Sequence, residues 1–416
     1  MDLTCRFPNV SRAPRKSAGG PQVAPPETPK PSATAFESVV LLLQGGGALG
    51  AYQAGVYETL LDAGIDASWI AGISIGAINS AIIAGNRRED RVARLREFWE
   101  LASDSGDGGW SNWWAQAMGD GSARQWFNQL AAGQIMANGV PGFFTPRLPP
   151  PYMRTAGAPG ATSWYDTAAL RPTLERLVDF DRINSKETRF SVGAVNVRTG
   201  NFAYFDNETD TIRPEHVMAS GALPPAFDAV EVDGEFYWDG GMVSNTPLDW
   251  VLSARSDLDT LIFQVDLWSA RGELPRDLSE VAIRMKEVQY SSRTRNATDA
   301  FRKVQKLRAA FNELMAQMPP ELAATPQAKL LAQASDPAVY NIVQLVYRSA
   351  TYEGQTKDFE FSRRTMEEHW KAGRDDAATT LSHPQVLELP KTAQAVEVYD
   401  FLTPRMEGAI REKKRP

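Results

Sequence analysis

A serine set between glycines is the first place in this sequence where chemistry is expected. Gly72-Ile73-Ser74-Ile75-Gly76 is a G-x-S-x-G motif at the junction between a predicted strand and a predicted helix. A nucleophilic serine needs an exposed hydroxyl on a sharp turn, and the glycines let the neighbouring backbone pack closely. The helix would place its positive dipole end beside a developing oxyanion. Ser74 is therefore a candidate nucleophile, with a plain small-residue turn as the alternative explanation of the same pattern.

A glycine-rich segment, Gly45-Gly46-Gly47-Ala48-Leu49-Gly50, follows the first predicted strand. Glycines leave the backbone N–H groups sterically open, as an oxyanion hole requires. The segment also satisfies G-x-G-x-x-G, the dinucleotide-binding fingerprint, through Gly45, Gly47 and Gly50. That fingerprint needs an acidic residue at the end of the second strand, where this chain has Gly72-Ile73-Ser74 instead. The alternatives are therefore an ester hydrolase, a nucleotide-binding oxidoreductase, or a turn that serves packing only.

A carboxylate that could act with Ser74 lies in Trp238-Asp239-Gly240-Gly241. It comes just after a predicted strand, and the two glycines keep side chains away from it. In an open α/β sheet the carboxyl ends of the strands form the reactive crevice, so Asp239 and Ser74 could meet there. Taken singly, Asp-Gly-Gly is more often only a turn.

Alternating strands and helices must position these motifs. Residues 38–43 form an apolar run typical of a buried parallel strand, and residues 51–63 have apolar residues at helical spacing. A second strand over 69–73 leads into a helix over 75–84. Further strands are predicted near 189–197, 201–205, 229–238 and 260–265, and a long helical pattern runs from about 277 to 318. This order predicts an α/β sheet with helices on both faces.

Taken in order, the three motifs resemble those of the patatin-like phospholipase family. The resemblance covers roughly residues 38–270 and includes the run Met218–Phe227. It implies a three-layer α/β sandwich with a mostly parallel central sheet. It also implies a serine acyl-ester hydrolase of the lipid acyl hydrolase or phospholipase A kind, in which Ser74 is the nucleophile and Asp239 activates it without a histidine.

The same resemblance assigns the remaining site residues. It implies an oxyanion hole made by the backbone N–H groups of Gly46, Gly47 and Ile75. The supporting glycines are Gly45, Gly50, Gly72, Gly76, Gly240 and Gly241.

One position departs from the family pattern. The glycine loop of the family usually carries Arg or Lys before its last glycine, and this chain has Leu49. The change weakens the case for anionic phospholipid substrates, so "acyl hydrolase" is the safer description. It also leaves open a catalytically weak lipid-binding protein. Residues 362–370 resemble an extension found on one bacterial subgroup, for which no function is predicted.

The histidines favour a Ser–Asp dyad over a triad. A triad in hydrolase order needs its histidine after Asp239, which leaves His369 and His383. His369 lies in a charged helix and His383 precedes a proline, and we expect both to be packing or surface residues. His216 lies in a Pro-Glu-His turn that looks exposed.

Composition shifts suggest the domain boundaries. Residues 1–36 are rich in proline and predicted to be disordered, 37–275 form the catalytic domain, and 276–416 form a mainly helical C-terminal extension. Residues 104–165 are rich in Gly, Pro and aromatic residues. They are expected to be an insertion that forms a lid or acyl-chain channel, or else a satellite core beneath a long loop.

Charge and residue counts exclude other classes. A net charge of −7 argues against nucleic-acid binding, and one cysteine with three histidines cannot build an ordinary zinc site. We expect no metal and no cofactor. No apolar run of about 18 residues is present and the first residues lack an apolar signal segment, so we expect a cytoplasmic protein, in contact with a membrane at most peripherally. The expected partner is a lipid or another hydrophobic ester, and the oligomeric state is not predicted.

Overall fold

A computed structural model describes residues 34–104, 122–254, 258–291, 294–334, 338–349, 354–390 and 395–402. These residues belong to one compact unit. Most of the predicted disordered segment and residues 105–121 of the predicted insertion lie outside the described ranges. Phe36, at the end of the first segment, is buried in the core.

The centre of the fold is a mostly parallel sheet. Along the described chain its strands are β1 (Ser38–Leu43), β2 (Trp69–Gly72), β5 (Arg189–Asn196), β6 (Phe202–Asp206), β7 (Val230–Val232), β8 (Glu235–Asp239), β9 (Thr260–Asp266), β10 (Tyr340–Val346) and β11 (Val396–Tyr399), while β3 (Thr145–Pro146) and β4 (Tyr165–Asp166) pair separately. The order is β11-β10-β9-β1-β2-β5-β8-β7, with β6 also paired to β5. The strands from β11 to β5 run parallel, whereas β6 and β8 lie antiparallel to β5.

Helices connect these strands. In the described chain they are α1 (Ala51–Asp62), α2 (Ile75–Ala84), α3 (Arg91–Ala102), α4 (Ser122–Asn138), α5 (Leu170–Leu177), α6 (Phe180–Asn184), α7 (Pro214–Ser220), α8 (Leu248–Ser253), α9 (Leu278–Tyr290), α10 (Thr294–Ala316), α11 (Pro320–Ala323), α12 (Pro326–Ala334) and α13 (Arg363–Leu381).

Alternate residues of β1 belong to two separate cores. Val39, Leu41 and Leu43 pack with α1, α2, α3 and α13, while Val40 and Leu42 pack on the other face with residues of α8 and α10. Because successive side chains of a strand point to opposite faces, a strand that is apolar throughout must be covered on both sides. The three-layer α/β fold predicted from the sequence is confirmed.

Two predicted elements are each divided in the structure. The predicted strand at 229–238 is wrong, because β7 and β8 form a hairpin whose turn contains Asp233 (φ 50°) and Gly234 (φ 83°). An Asp-Gly pair favours this left-handed turn. The predicted helix from 277 to 318 is interrupted, because Ser291 leaves the helical conformation at the end of α9.

The region after residue 276 adds β10 and β11 to the sheet as well as helices. β10 pairs with β9 over seven residues, from Tyr340 opposite Thr260 to Val346 opposite Asp266. The domain boundaries at 36 and 275 stay predictions.

Candidate active site

Ser74 lies on a sharp turn between β2 and α2. It is partly exposed and has a φ of 55° and a ψ of −123°, a conformation that residues other than glycine rarely adopt. Its backbone N–H donates to the Ser220 hydroxyl (3.0 Å), which in turn donates to the carbonyl of Gly193 (2.7 Å). Hydrogen bonds that involve two neighbouring elements therefore hold the turn. The turn presents the Ser74 hydroxyl at the carboxyl end of β2.

The flanking glycines allow this turn to form. A Cβ on Gly76 would lie 2.1 Å from the carbonyl oxygen of Leu43, and one on Gly72 would lie 2.3 Å from that of Gly76. Both distances are too short for any side chain. The glycine spacing of the motif thus reflects a close approach between the turn and the end of β1.

The register of the sheet brings Asp239 to the level of Ser74. Gly72 of β2 pairs with Val192 of β5, and Ala194, two residues further along β5, pairs with Asp239. Because β8 runs antiparallel to β5, Asp239 arrives from the opposite direction to the one expected for the carboxyl end of a parallel strand. β8 is short and ends at this level, so the carboxylate meets Ser74.

The Asp239 carboxylate is almost fully buried, with 2% of the residue exposed. It accepts a hydrogen bond from the N–H of Gly241 at 2.7 Å, and the Ser74 side chain lies beside it. Burial raises the pKa of Asp239 to about 6, although the Ser74 hydroxyl and the Gly241 N–H act to lower it. Removal from water disfavours the charged form, which makes this carboxylate more basic than usual.

The glycine loop lies against Ser74. A Cβ on Gly45 would lie 3.1 Å from that of Ser74, and the loop residues Gly46 and Gly47 line the same cavity as Ser74 and Ile75. Within the described residues, the N–H groups of Gly46, Gly47 and Ile75 donate to no acceptor in the protein. Three backbone donors are therefore available beside the serine.

The cavity over Ser74 and Asp239 has a volume of about 290 Å³. Its walls are largely apolar and aromatic, and the predicted insertion contributes Phe143 and Phe144, which also belong to the main core. The other large apolar and aromatic side chains are Ile135, Met136, Tyr165, Leu223, Phe227, Trp268, Tyr290, Phe359 and Phe361. A cavity of this kind fits an extended apolar group next to the serine.

All three histidines of the sequence lie in the described residues, and none lines the cavity. His216 is buried against Phe205, so the expectation that it is exposed is wrong. His369 is buried and packs on Tyr347. His383 stacks on Phe401. Each ring is thus used in packing.

Leu49 is fully buried in the core and does not line the cavity. The side chain at the usual basic position of the loop therefore contacts apolar neighbours here. Its effect on activity stays a prediction.

Several site residues were not predicted as such from the sequence. Asn245 donates to the Gly45 carbonyl (3.0 Å) and to that of Tyr290 (2.8 Å), and so ties the glycine loop to the end of α9. The only sequence pattern that marks Asn245 is its position four residues after Gly241. Trp268 and Asp358 also contact the loop, but no local pattern marks either residue.

The sequence model of the family described as patatin-like phospholipase matches residues 41–252, and a second model, described as patatin phospholipase, matches residues 288–393. The first match covers half of the chain and contains Ser74, Asp239 and the glycine loop. The protein belongs to the patatin-like phospholipase family, a family of lipid hydrolases. The family match favours the hydrolase over the nucleotide-binding alternative.

Solved structures give weaker similarities. VipD from Legionella pneumophila is 14% identical, with 90% of this chain and 73% of that chain covered and a TM-score of 0.37. The type III effector ExoU is 15% identical, with 87% and 55% covered and a TM-score of 0.30. The ExoU–SpcU complex of Pseudomonas aeruginosa is 17% identical, with 59% and 46% covered and a TM-score of 0.24. The chain thus spans about half the length of ExoU. A search of the curated proteins found no match.

No helix of the described residues has the length and apolar character needed to cross a membrane.

Proposed function

We propose that the protein is a serine acyl-ester hydrolase that uses a Ser74–Asp239 dyad. The observation that carries the proposal is the position of the Ser74 side chain beside a buried carboxylate of raised pKa, next to open glycine amides and beneath an apolar cavity. No histidine lines this cavity, so Asp239 is the base in contact with the serine.

The proposed reaction has two steps. The Ser74 oxygen attacks the acyl carbonyl carbon as its proton passes to Asp239, and the N–H groups of Gly46, Gly47 and Ile75 donate to the oxyanion. Asp239 then protonates the leaving alcohol, which gives an acyl-serine. In the second step Asp239 takes a proton from water, the hydroxide attacks the acyl carbon, and the proton returns to Ser74 as the fatty acid leaves.

The substrate is proposed to be a lipid or another hydrophobic ester whose acyl chain occupies the aromatic cavity. Met136 lines this cavity and is also exposed to solvent at 56%. Helix α9, whose Tyr290 lines the cavity, carries exposed apolar side chains at Leu278, Met285 and Val288. These positions are consistent with peripheral contact with lipid, which, like the cytoplasmic location, stays a prediction.

Labelling with a fluorophosphonate tests the proposed nucleophile. We expect wild type to be labelled on Ser74 and the Ser74→Ala variant to lose all labelling, because the probe reacts only with an activated serine. Peptide mass spectrometry locates the adduct. Ser382→Ala, a change at an exposed serine, is the matched control and should label like wild type. An unlabelled wild-type protein would instead support the catalytically weak lipid-binding alternative, and labelling that persists in Ser74→Ala would remove the assignment.

The pH dependence of turnover tests the base. Because Asp239 must be ionised to accept a proton and its pKa is about 6, kcat/KM for an uncharged ester should fall about tenfold per pH unit below that value and be flat above it. The measurement is kcat/KM from pH 4 to 9. His216→Gln and His369→Gln should keep the same acidic limb. A limb that disappears in either variant would assign the base to a histidine.

A further inference from the structure

Two adjacent ion pairs join helix α9 to the segment before α13. Lys286 donates to both carboxylate oxygens of Asp358, at 2.8 and 3.0 Å, and Lys357 donates to Glu287 at 3.0 Å. The charges alternate, so each segment contributes one cation and one anion. The Lys357 and Glu287 side chains are exposed only to 4% and 17%. We call these four residues the charge clamp.

Lys357 and Asp358, the two charge-clamp residues that precede α13, connect the charge clamp to the glycine loop. The backbone carbonyl of Asp358 accepts the Ala48 N–H at 2.8 Å, and this oxygen occupies the space where a Cβ of Gly47 would be, at 2.0 Å. The Lys357 ammonium lies 5.0 Å from the ring centre of Trp268, whose indole N–H donates to the Gly45 carbonyl at 3.0 Å. The loop is therefore held at both ends by contacts that the charge clamp supports.

The glycine loop needs such support for a physical reason. Oxyanion stabilisation depends on donors that are fixed in place before the reaction. Glycines have no side chains with which to anchor themselves, and they lose more conformational freedom than other residues when they are ordered. Fixing Gly46 and Gly47 therefore requires contacts from other parts of the chain. Leu267 and Trp268 lie against Gly46, and Asp358 lies against Gly47.

We propose that the charge clamp is a positioning device for the oxyanion hole, and that residues 354–361 of the C-terminal region are in this way part of the active site. This inference rests on the proposed function. The four residues act through the glycine loop and not on the substrate carbonyl. Phe359 and Phe361 extend the same segment into the cavity wall, so the segment shapes both the loop and the apolar cavity.

Charge reversal of one pair tests this proposal. Lys286→Glu and Asp358→Lys each place like charges opposite one another, and we expect each to lower kcat for an uncharged short-chain ester about tenfold or more with little change in KM. A displacement of about 1 Å at a catalytic group can reduce rates by two orders of magnitude. The double variant restores opposite charges and is expected to regain kcat to within about threefold of wild type. The rate of fluorophosphonate labelling at Ser74 should follow kcat in all three variants.

Arg276→Glu is the matched control. It breaks an ion pair at 2.7 Å between Arg276, which precedes α9 and is 81% exposed, and Glu280 of α9. It should leave kcat and the labelling rate unchanged. If the reversed variants do not fold, Asp358→Asn removes one charge at constant size and should still lower kcat severalfold in the folded protein.

Two outcomes would contradict the proposed positioning role of the charge clamp. One is a folded Lys286→Glu or Asp358→Asn protein whose kcat and labelling rate stay within twofold of wild type. The other is a double variant that is no faster than its slower parent. Both are distinct from failure of the proposed function, in which wild type itself is not labelled at Ser74.

Discussion

Asp239→Asn is expected to lower kcat/KM by about 10,000-fold, a loss typical of removing the acidic member of a serine hydrolase site. Asparagine has the same shape and can still accept the hydrogen bond from Gly241. It cannot take a proton from Ser74, so the nucleophile is not activated. The measurement is the hydrolysis of an uncharged chromogenic ester by purified variant and wild type. A variant that keeps more than about a tenth of wild-type activity would contradict the role of Asp239 as base.

The same substitution should stabilise the fold above pH 6. The pKa of Asp239 rises on folding from 3.8 to about 6. The contribution of this group to the free energy of unfolding is therefore fully present below pH 4 and is lost as the pH rises through 6. From the size of that shift, ionised Asp239 lowers the free energy of unfolding by up to about 3 kcal/mol at pH 7. Asparagine carries no charge and avoids this loss.

Urea unfolding at pH 4.5 and pH 8 measures the effect. The difference between Asp239→Asn and wild type should be about a third as large at pH 4.5 as at pH 8. Asp233→Asn, which removes a carboxylate that is 72% exposed, is the control for the loss of a surface charge. An Asp239→Asn variant that is less stable than wild type at both pH values would show that the buried charge is not unfavourable.

Gly47→Ala is expected to lower kcat by about 100- to 1,000-fold, the range seen when one oxyanion donor is lost. Gly47 has a φ of 56°, and an added Cβ would lie 2.0 Å from the carbonyl oxygen of Asp358. The loop must shift to relieve this overlap, and the shift moves the N–H groups of Gly46 and Gly47. We also expect a lower free energy of unfolding.

Gly200→Ala separates the effect of the steric overlap at Gly47 from the effect of backbone strain at a positive φ. Gly200 has a φ of 70° but no atom within 4 Å of an added Cβ, so alanine there adds backbone strain of about 1–2 kcal/mol without a steric overlap. It should lower stability and leave kcat unchanged. The measurement is steady-state kinetics with urea unfolding for both variants. A Gly47→Ala enzyme with kcat within twofold of wild type would exclude this amide from the oxyanion hole.

The sequence marked Ser74 and Asp239 as candidate site residues, but it did not predict the direction from which they approach each other. Ser74 and Asp239 stand out because each is surrounded by glycines whose only physical use is a turn or a close backbone approach. The direction of β8 was not predictable from the motif, because pairing with β5 is a long-range choice. The Asp233-Gly234 pair is a local signal only for the hairpin between β7 and β8, although the residues on both sides have strand character.

The contacts that surround Ser74 and Asp239 could not be predicted from local patterns. Lys286, Glu287, Lys357 and Asp358 are charged residues in charged segments, and only the fold shows that they lie opposite one another. Trp268 and Tyr290 likewise face the cavity because of how β9 and α9 are placed. Such contacts depend on chain segments that are far apart in sequence, so spacing alone carries no information about them.

The position of β9 has a practical consequence for expressing parts of this protein. If the chain were cut near residue 275, all seven residues of β9 that pair with β10 would lose their partners on that side. An uncovered apolar strand offers its backbone to any other chain and favours aggregation. A shortened protein designed on the motifs alone should therefore be insoluble, and a form that retains β10 and β11 is the one to use for enzymology.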